Sequence, residues 1–379
     1  MKTVGIDASR AVRARRTGTE RYAWEIIHRL ATSPDLSGVR LRLYTDRPPT
    51  LEQRAATPGA EWVVLPIPRL WTHLALAPEL LRRPPDLFFE PAHVLPLTRP
   101  PASVVTVHDL GYEHVPGAHP PLQRWYLRLT TRWHVRGARL LLADSRATKD
   151  DVVKRYGADA ARVRVVYPGV DVHTFRPVRD PRRLEGVRAR YAGGSRYVLY
   201  VGTLQPRKNV VRLVRAFARL AAEAPDAVLV LAGRPGWHTD PLERTVRALG
   251  LERRVRWPGY IPEHDLPALL SGAELFAFPS LFEGFGFPVI EAQACGTPVL
   301  TSTTSSLPEV AGEAAWLVNP EDEEAIADGL VALWHDKELR RHLAALGMRN
   351  AQRFTWERTV RGVQAAFEEL LRGESPGPP

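Results

Sequence analysis

Two carboxylates carry the most specific chemical signal in this chain: Glu283 and Glu291, with seven residues between them in Glu283-Gly-Phe-Gly-Phe-Pro-Val-Ile-Glu291. Gly284 and Gly286 let the backbone around Phe285 turn tightly, and Pro288 suits the first position of a helix. Gly296, in Ala294-Cys295-Gly296-Thr297-Pro298, is placed to stop that helix. A buried strand, Val299-Leu300-Thr301, is expected next. The free amides of such a helix start, at about Val289 and Ile290, can receive an anion. Two groups that only accept hydrogen bonds, beside an anion site, suit a ligand that is both a phosphate and a polyol. A nucleotide sugar has that chemistry.

A second constellation follows the apolar run Tyr197–Val201: Gly202-Thr203-Leu204-Gln205-Pro206-Arg207-Lys208-Asn209. A strand–loop–helix turn offers a diphosphate cations and backbone amides together. Arg207 can fork onto two phosphate oxygens, and Lys208 adds a compact charge. Only five of the chain's 52 basic residues are lysines, so a lysine kept beside Arg207 in an arginine-rich composition points to a point charge with a role. The plainer reading is a solvated helix start, but basic residues there oppose the helix dipole. His108 ends the run Ser103–Val107 in Val-His-Asp-Leu-Gly; its alternative is a buried structural histidine. Near the N-terminus, Arg16-Thr17-Gly18-Thr19-Glu20-Arg21 is a glycine loop after a first strand. No Asp-x-Asp occurs and no His/Cys ligands cluster with zinc spacing, so no metal site is expected.

The Glu283–Glu291 stretch resembles the Glu-x7-Glu signature of retaining GT-B glycosyltransferases, specifically glycosyltransferase family four (glycosyl transferases group 1). The likeness extends through Phe276-Ala277-Phe278-Pro279-Ser280 and on through Pro298-Val299 to Leu307-Pro308-Glu309-Val310. Arg207-Lys208-Asn209 matches the family's phosphate-binding pair. Gly18 and Thr19 resemble its glycine loop over the donor phosphates, with Thr17 where most relatives have a first glycine. His108 resembles the histidine that touches the donor sugar. The resemblance implies an α/β, GT-B fold of two doubly wound Rossmann-like domains facing across a deep cleft. It further implies a retaining, metal-independent hexosyltransferase of polysaccharide biosynthesis with no cofactor, its nucleoside diphosphate sugar being a substrate. GDP-mannose is the first donor expected and UDP-glucose the second; the acceptor is a hydroxyl of a glycan or lipid-linked molecule. The catalytic set would be His108, Arg207, Lys208 and Glu283. The donor would also meet Gly18, Thr19, Gly202, Thr203, Gly284, Phe285, Gly286, Val289, Ile290 and Glu291. Two other readings stand beside this one: an epimerase or hydrolase of sugar nucleotides on the same fold, and a non-enzymatic anion- or lipid-binding protein.

The elements that must position these residues are legible as alternation. Candidate strands Thr3–Ile6, Leu41–Thr45, Trp62–Leu65, Leu87–Phe89, Ser103–Val107, Leu140–Ala143 and Val163–Val166 alternate with helical spacing, the signature of a parallel sheet covered on both faces. The second half repeats this with Tyr197–Val201, Val228–Ala232, Val255–Trp257, Leu275–Phe278 and Val299–Leu300. Length fits two domains. We expect a first domain over 1–175, an Arg- and Pro-rich linker over 176–196, and a nucleotide-sugar domain over 197–355. A last helix, about 356–371, should return to the first domain, and the tail Gly373–Pro379 should stay disordered. After Asn319-Pro320, the acids Glu321–Glu324 read as a first turn capped by Asn319.

At 44% hydrophobic and 25% charged, the composition is that of a globular protein. One cysteine, Cys295, suits a reducing compartment, and neither a signal peptide nor a spanning stretch is evident. A cytoplasmic protein is expected. Residues 1–175 hold 26 of the 52 basic but only 17 of the 42 acidic residues, nearly all of the net +10. A basic first half implies an anionic partner. In the predicted helix 121–137, Arg124, Arg128, Arg132 and Arg136 recur every four residues beside Trp125, Leu129 and Trp133. Such a helix can rest peripherally on an anionic bilayer, at the inner membrane face, or simply turn its aromatics inward. Nucleic acid is not expected as a partner, since no recognised module accompanies the charge.

Overall fold

The computed structural model describes residues 1–13, 18–34, 38–67, 70–92, 94–115, 117, 120–236 and 240–373. The chain forms two compact units. Unit 1 comprises Met1–Leu110, Pro121–Gly169 and the C-terminal segment from Trp356; unit 2 comprises Gly111–Pro120 and Val170–Thr355. The expected tail beyond Gly373 and the loop residues Arg16 and Thr17 lie outside the described residues.

Unit 1 is built on strands β1 (Lys2–Asp7), β2 (Val39–Thr45), β3 (Glu61–Val64), β4 (Leu87–Glu90), β5 (Ser103–Val107), β6 (Leu140–Ala143) and β7 (Val163–Val165). They form one sheet in the order β3-β2-β1-β4-β5-β6-β7, parallel at every pairing. Its central strands are apolar throughout because helices cover both faces: Val4, Ile6, Phe88, Phe89, Val104 and Val105 are fully buried. The last helix, Trp356–Leu371, completes this core. Trp356 lies 6.2 Å from Tyr22 between ring centroids, Phe367 meets Phe89 edge-on at 5.3 Å, and Gln364 Nε2 donates to Ser33 Oγ at 2.7 Å.

Unit 2 carries β8 (Tyr197–Val201), β9 (Val228–Ala232), β10 (Val255–Gly259), β11 (Leu275–Phe278), β12 (Val299–Ser302) and β13 (Trp316–Val318), in the order β10-β9-β8-β11-β12-β13 and again all parallel. This is the doubly wound order, with its reversal between β8 and β11. The crevice at the carboxyl ends of those two strands is where such a sheet binds ligands.

Three expectations need correction. β13 is a sixth strand; at three residues on the sheet edge it is too short to show a period. Residues 176–196 hold a helix, Pro181–Ala192, within unit 2: Asp180 caps it by accepting from Arg182 N–H, and Gly193 ends it in the left-handed region. The helix Glu323–His335 is capped by Asp322, not Asn319, which turns back to accept from Glu321 N–H at 3.0 Å.

Candidate active site in unit 2

Arg207 and Lys208 form a single 3-10 turn, Pro206–Lys208, just past β8. Asn209 ends it with φ 60°, a conformation asparagine tolerates better than most residues. Its side-chain amide donates to Pro279 O at 2.9 Å and Pro320 O at 2.6 Å, bolting the turn to the segments after β11 and β13. Gly202, between β8 and this turn, has φ 154°, and a Cβ on Gly233 would overlap the Gly202 carbonyl. That close approach of two backbones requires glycine.

Glu283 comes from the loop after β11, and the fold brings it onto both cations. Oε1 accepts from Lys208 Nζ at 2.6 Å and from Ser280 Oγ at 2.5 Å, while Oε2 accepts from Arg207 Nη1 at 3.1 Å. Arg207 also donates to Phe282 O, and its own carbonyl receives Leu281 N–H at 2.9 Å. Glu283 is only 6% exposed. Burial alone would push its carboxyl up, but Arg207 and Lys208, with the Lys208 and Ser280 hydrogen bonds, hold it below its usual value. Two cations against one carboxylate leave the triad at net +1, in a place with little water to screen it.

A run of hydroxyls, Thr301 to Ser306, fixes this loop and was not singled out from the sequence. Ser305 Oγ accepts from Glu283 N–H at 3.0 Å, with Ser305 held at φ 56°. Ser306 Oγ lies 2.9 Å from Glu283 O and 2.8 Å from Phe285 O, and Thr304 Oγ1 donates to Leu281 O. Six consecutive Ser and Thr residues, beginning at Thr301 where the expected strand ends, were the available signal.

Phe287–Ala294 is the helix expected after the glycines. Gly286 precedes it at φ 109°, where a Cβ would also press within 2.8 Å of Leu307 Cδ2. The helix start is not the free anion receptor expected at Val289: that N–H donates to Gly286 O at 2.9 Å because the chain tightens into a turn there. Val289 and Ile290 are fully buried. The Phe285 ring is committed to the core, edge-on to Phe287 at 5.3 Å and to Phe354 at 5.5 Å. Gly284 is buried beside it, and Thr203 is exposed in the loop after β8. Glu291 is buried one turn inside the helix, where its charge adds to burial in pushing the Cys295 thiol up.

His108, Gly18 and Thr19 belong to unit 1. Gly18 and Thr19 open the helix Gly18–Thr32. His108 sits just past β5 with both ring nitrogens engaged: Nδ1 is 2.7 Å from Asp144 Oδ2 and Nε2 is 2.7 Å from Pro91 O. A carbonyl and a carboxylate can only accept, so the doubly protonated ring satisfies both. Burial opposes that charge, and pushes the Asp144 carboxyl up as well. The Asp144 charge and hydrogen bond, with the Pro91 carbonyl, outweigh it and raise His108 above its ordinary value. Among the described residues, no group of three or more His, Cys, Asp and Glu side chains is placed to hold a metal ion.

The fold and this site define a glycosyltransferase of the GT-B class. Sequence comparison agrees: residues 188–348 match the model of glycosyl transferases group 1, and residues 16–174 that of glycosyltransferase family 4. The chain is 30% identical over 375 residues to the O-antigen chain mannosyltransferase B of Escherichia coli, covering 93% of this chain and 96% of that one. It is 37% identical over 250 residues to a D-inositol 3-phosphate glycosyltransferase of Salinispora tropica, there spanning about half (51%) of the relative's length. Among solved structures, the sucrose-phosphate synthase of Thermosynechococcus elongatus superposes with a TM-score of 0.78 at 22% identity, over 99% of this chain and all of that one. Anabaena Alr3699/HepE in complex with UDP-glucose gives 0.76 at 20%, over 97% of this chain and all of that one. The chain belongs to the family four, group 1 glycosyltransferases.

Proposed function

We propose that this enzyme is a retaining, metal-independent hexosyltransferase that moves a hexose from a nucleoside diphosphate sugar to a hydroxyl of a glycan or lipid-linked acceptor. The observation that carries the reading is the Arg207–Lys208–Glu283 triad at the β8/β11 reversal. A diphosphate with two or more negative charges competes with Glu283 for the two cations. Its arrival frees the Glu283 oxygens to accept from donor-sugar hydroxyls, so the site is remade by the substrate. In the reaction, the bond from the anomeric carbon to the diphosphate oxygen breaks and the bond to the acceptor oxygen forms. The acceptor proton passes to the departing phosphate, whose charge Arg207 and Lys208 stabilise. Glu291 accepts from the nucleotide ribose. The donor roles of His108, Gly18 and Thr19, which belong to unit 1, rest on the family resemblance alone.

The mannosyltransferase relative favours GDP-mannose as donor; the UDP-glucose complex of the structural neighbour keeps UDP-glucose second. A thermal-shift panel of nucleotide sugars decides. A donor at a hundred times its dissociation constant adds about 2.7 kcal/mol, a rise of several degrees. We expect GDP-mannose to give the largest shift, and labelled mannose to appear on a glycan acceptor with or without EDTA. Free mannose or an epimer as the sole product would establish the hydrolase or epimerase reading instead. No shift with any nucleotide sugar would end the proposal.

Unit 1 suits an acceptor presented at a membrane. No helix among the described residues is long and apolar enough to cross a bilayer. The helix Pro121–Gly137, however, turns Leu122, Trp125, Tyr126 and Leu129 outward, at 78, 59, 46 and 40% exposure. These positions follow the i, i+3, i+4, i+7 spacing of one helix face, flanked by the arginine repeat. A basic residue near an anionic surface contributes about 1 kcal/mol. Replacing Arg124, Arg128 and Arg132 by Gln should therefore cut sedimentation with anionic liposomes by roughly a hundredfold in partition constant. Wild-type protein that stays in the supernatant at low salt would remove this contact.

A further inference from the structure

Unit 1 contains a pocket that none of the residues discussed so far explains. It has a volume of about 250 Å³ and lies where the carboxyl ends of β1 and β2 meet the segment after β3. Arg10, Arg13, Asp46, Trp71, His73 and Tyr126 are among the side chains that line it. The volume is below that of ordinary drug-sized sites, enough for one small ring with a substituent.

Its polar groups are incompletely used. Arg13 Nη2 donates to Asp46 Oδ2 at 2.9 Å, yet Arg13 Nε is buried with no hydrogen-bond partner. His73 Nδ1 is likewise buried without one. Buried polar groups are ordinarily paired, so each of these is destabilising unless something pairs with it. Asp46 is shared with Arg47 at 3.3 Å, and Arg10 has only a loose 3.9 Å contact to Glu20, so the pocket stays positive. The Trp71 ring is fixed, its Nε1 donating to Leu65 O at 2.8 Å, and offers a flat apolar face. Tyr126 belongs to the exposed stripe of the helix Pro121–Gly137, so the pocket opens onto that stripe.

We infer that this pocket binds the phosphorylated part of the acceptor, a single sugar or polyol ring carrying a phosphate ester. Arg10 and Arg13 pair with the phosphate, His73 and Asp46 with ring hydroxyls, and Trp71 and Tyr126 lie against the C–H face of the ring. Calling the ligand an acceptor rests on the transferase reading above. The binding itself does not.

Calorimetry on the full chain tests it, with glucose 6-phosphate, glucose and inorganic phosphate as probes and GDP or UDP present to occupy the nucleotide site. Glucose 6-phosphate should bind at least about tenfold tighter than either fragment. Arg13→Gln and Arg10→Gln should each weaken it by about 10–100-fold, the range for one charged hydrogen bond, with nucleotide affinity unchanged. Arg10→Gln breaks no close ion pair, so it remains informative if Arg13→Gln folds poorly. A hexose phosphate esterified to a short prenyl chain, titrated in parallel, separates the sources: tighter binding than the soluble ester assigns a lipid-linked acceptor, and equal binding a soluble one. Absence of glucose 6-phosphate binding, or equal binding by wild type and both variants, overturns the inference. Failure to bind nucleotide would count against the donor reading alone.

Discussion

Arg207→Ala or Lys208→Ala is expected to lower turnover by roughly two to four orders of magnitude, about 3–5 kcal/mol of transition-state stabilisation. Both cations lie within 3.1 Å of the Glu283 carboxylate and are largely shielded from solvent. In the proposed reaction they stand where a leaving diphosphate would gather charge, and water would be a poor replacement for two buried cations there. Each single variant leaves Glu283 one cation, so folding should survive. The double variant leaves a buried, unpaired carboxylate, which costs about 3–5 kcal/mol of stability or forces its protonation. Turnover at saturating donor, alongside melting temperature, separates the two effects. Activity in either single variant within about threefold of wild type, under 1 kcal/mol, would remove these residues from the chemistry.

Glu283→Gln and Glu291→Gln should fail in opposite ways. With Glu283→Gln, turnover of intact donor should fall about a hundredfold or more, about 2.7 kcal/mol. Affinity for bare nucleoside diphosphate should hold or rise, because the variant removes the anion that competes for Arg207 and Lys208. Glu291→Gln should instead weaken bare-nucleotide binding by about 10–100-fold, the loss of a charged hydrogen bond to ribose. Calorimetry with the diphosphate and a turnover assay give both readings. A larger loss of bare-nucleotide affinity in Glu283→Gln would exchange the roles. The pH dependence carries a matching sign. Glu283 is held below its ordinary value of 4.5, so its contribution to stability is full above that value and is lost as pH falls through the lowered folded one. The Gln variant should lack that part of the acid limb.

Most of the scaffold is legible in the sequence because parallel strands covered on both faces leave unbroken apolar runs. The failures share a cause: local signals too short or composition too misleading. β13 spans only Trp316–Val318, and its middle residue is exposed. The helix Pro181–Ala192 sits in Arg- and Pro-rich sequence that reads as linker, although Asp180, Pro181 and Gly193 are sound start and stop residues. Asn319 and Asp322 both suit a cap, and only the backbone path chooses between them. At the site, Arg207, Lys208 and Glu283 were each visible, but their mutual pairing was not. Glu283 lies 75 residues from Lys208 and 76 from Arg207, and meets them because β8 and β11 are neighbours. The Val289 amide shows the converse: helix-start logic was right for the element and wrong for that donor.

The C-terminal helix imposes an order on biosynthesis. Unit 1 begins with Met1, yet its core closes only when Trp356 and Phe367 reach Tyr22 and Phe89. Domains otherwise tend to fold N-terminal first as the chain emerges. Here the first half must wait on the ribosome with the sites of two aromatic side chains unfilled, each worth about 1.5–3 kcal/mol or more when buried. Unit 2, drawn almost wholly from Val170–Thr355, has its full sequence available before that helix is even synthesised. The earliest-made half of the enzyme is therefore the last to be finished, and a nascent chain stalled before residue 356 holds the whole unit 2 sequence while the core of unit 1 is still unclosed.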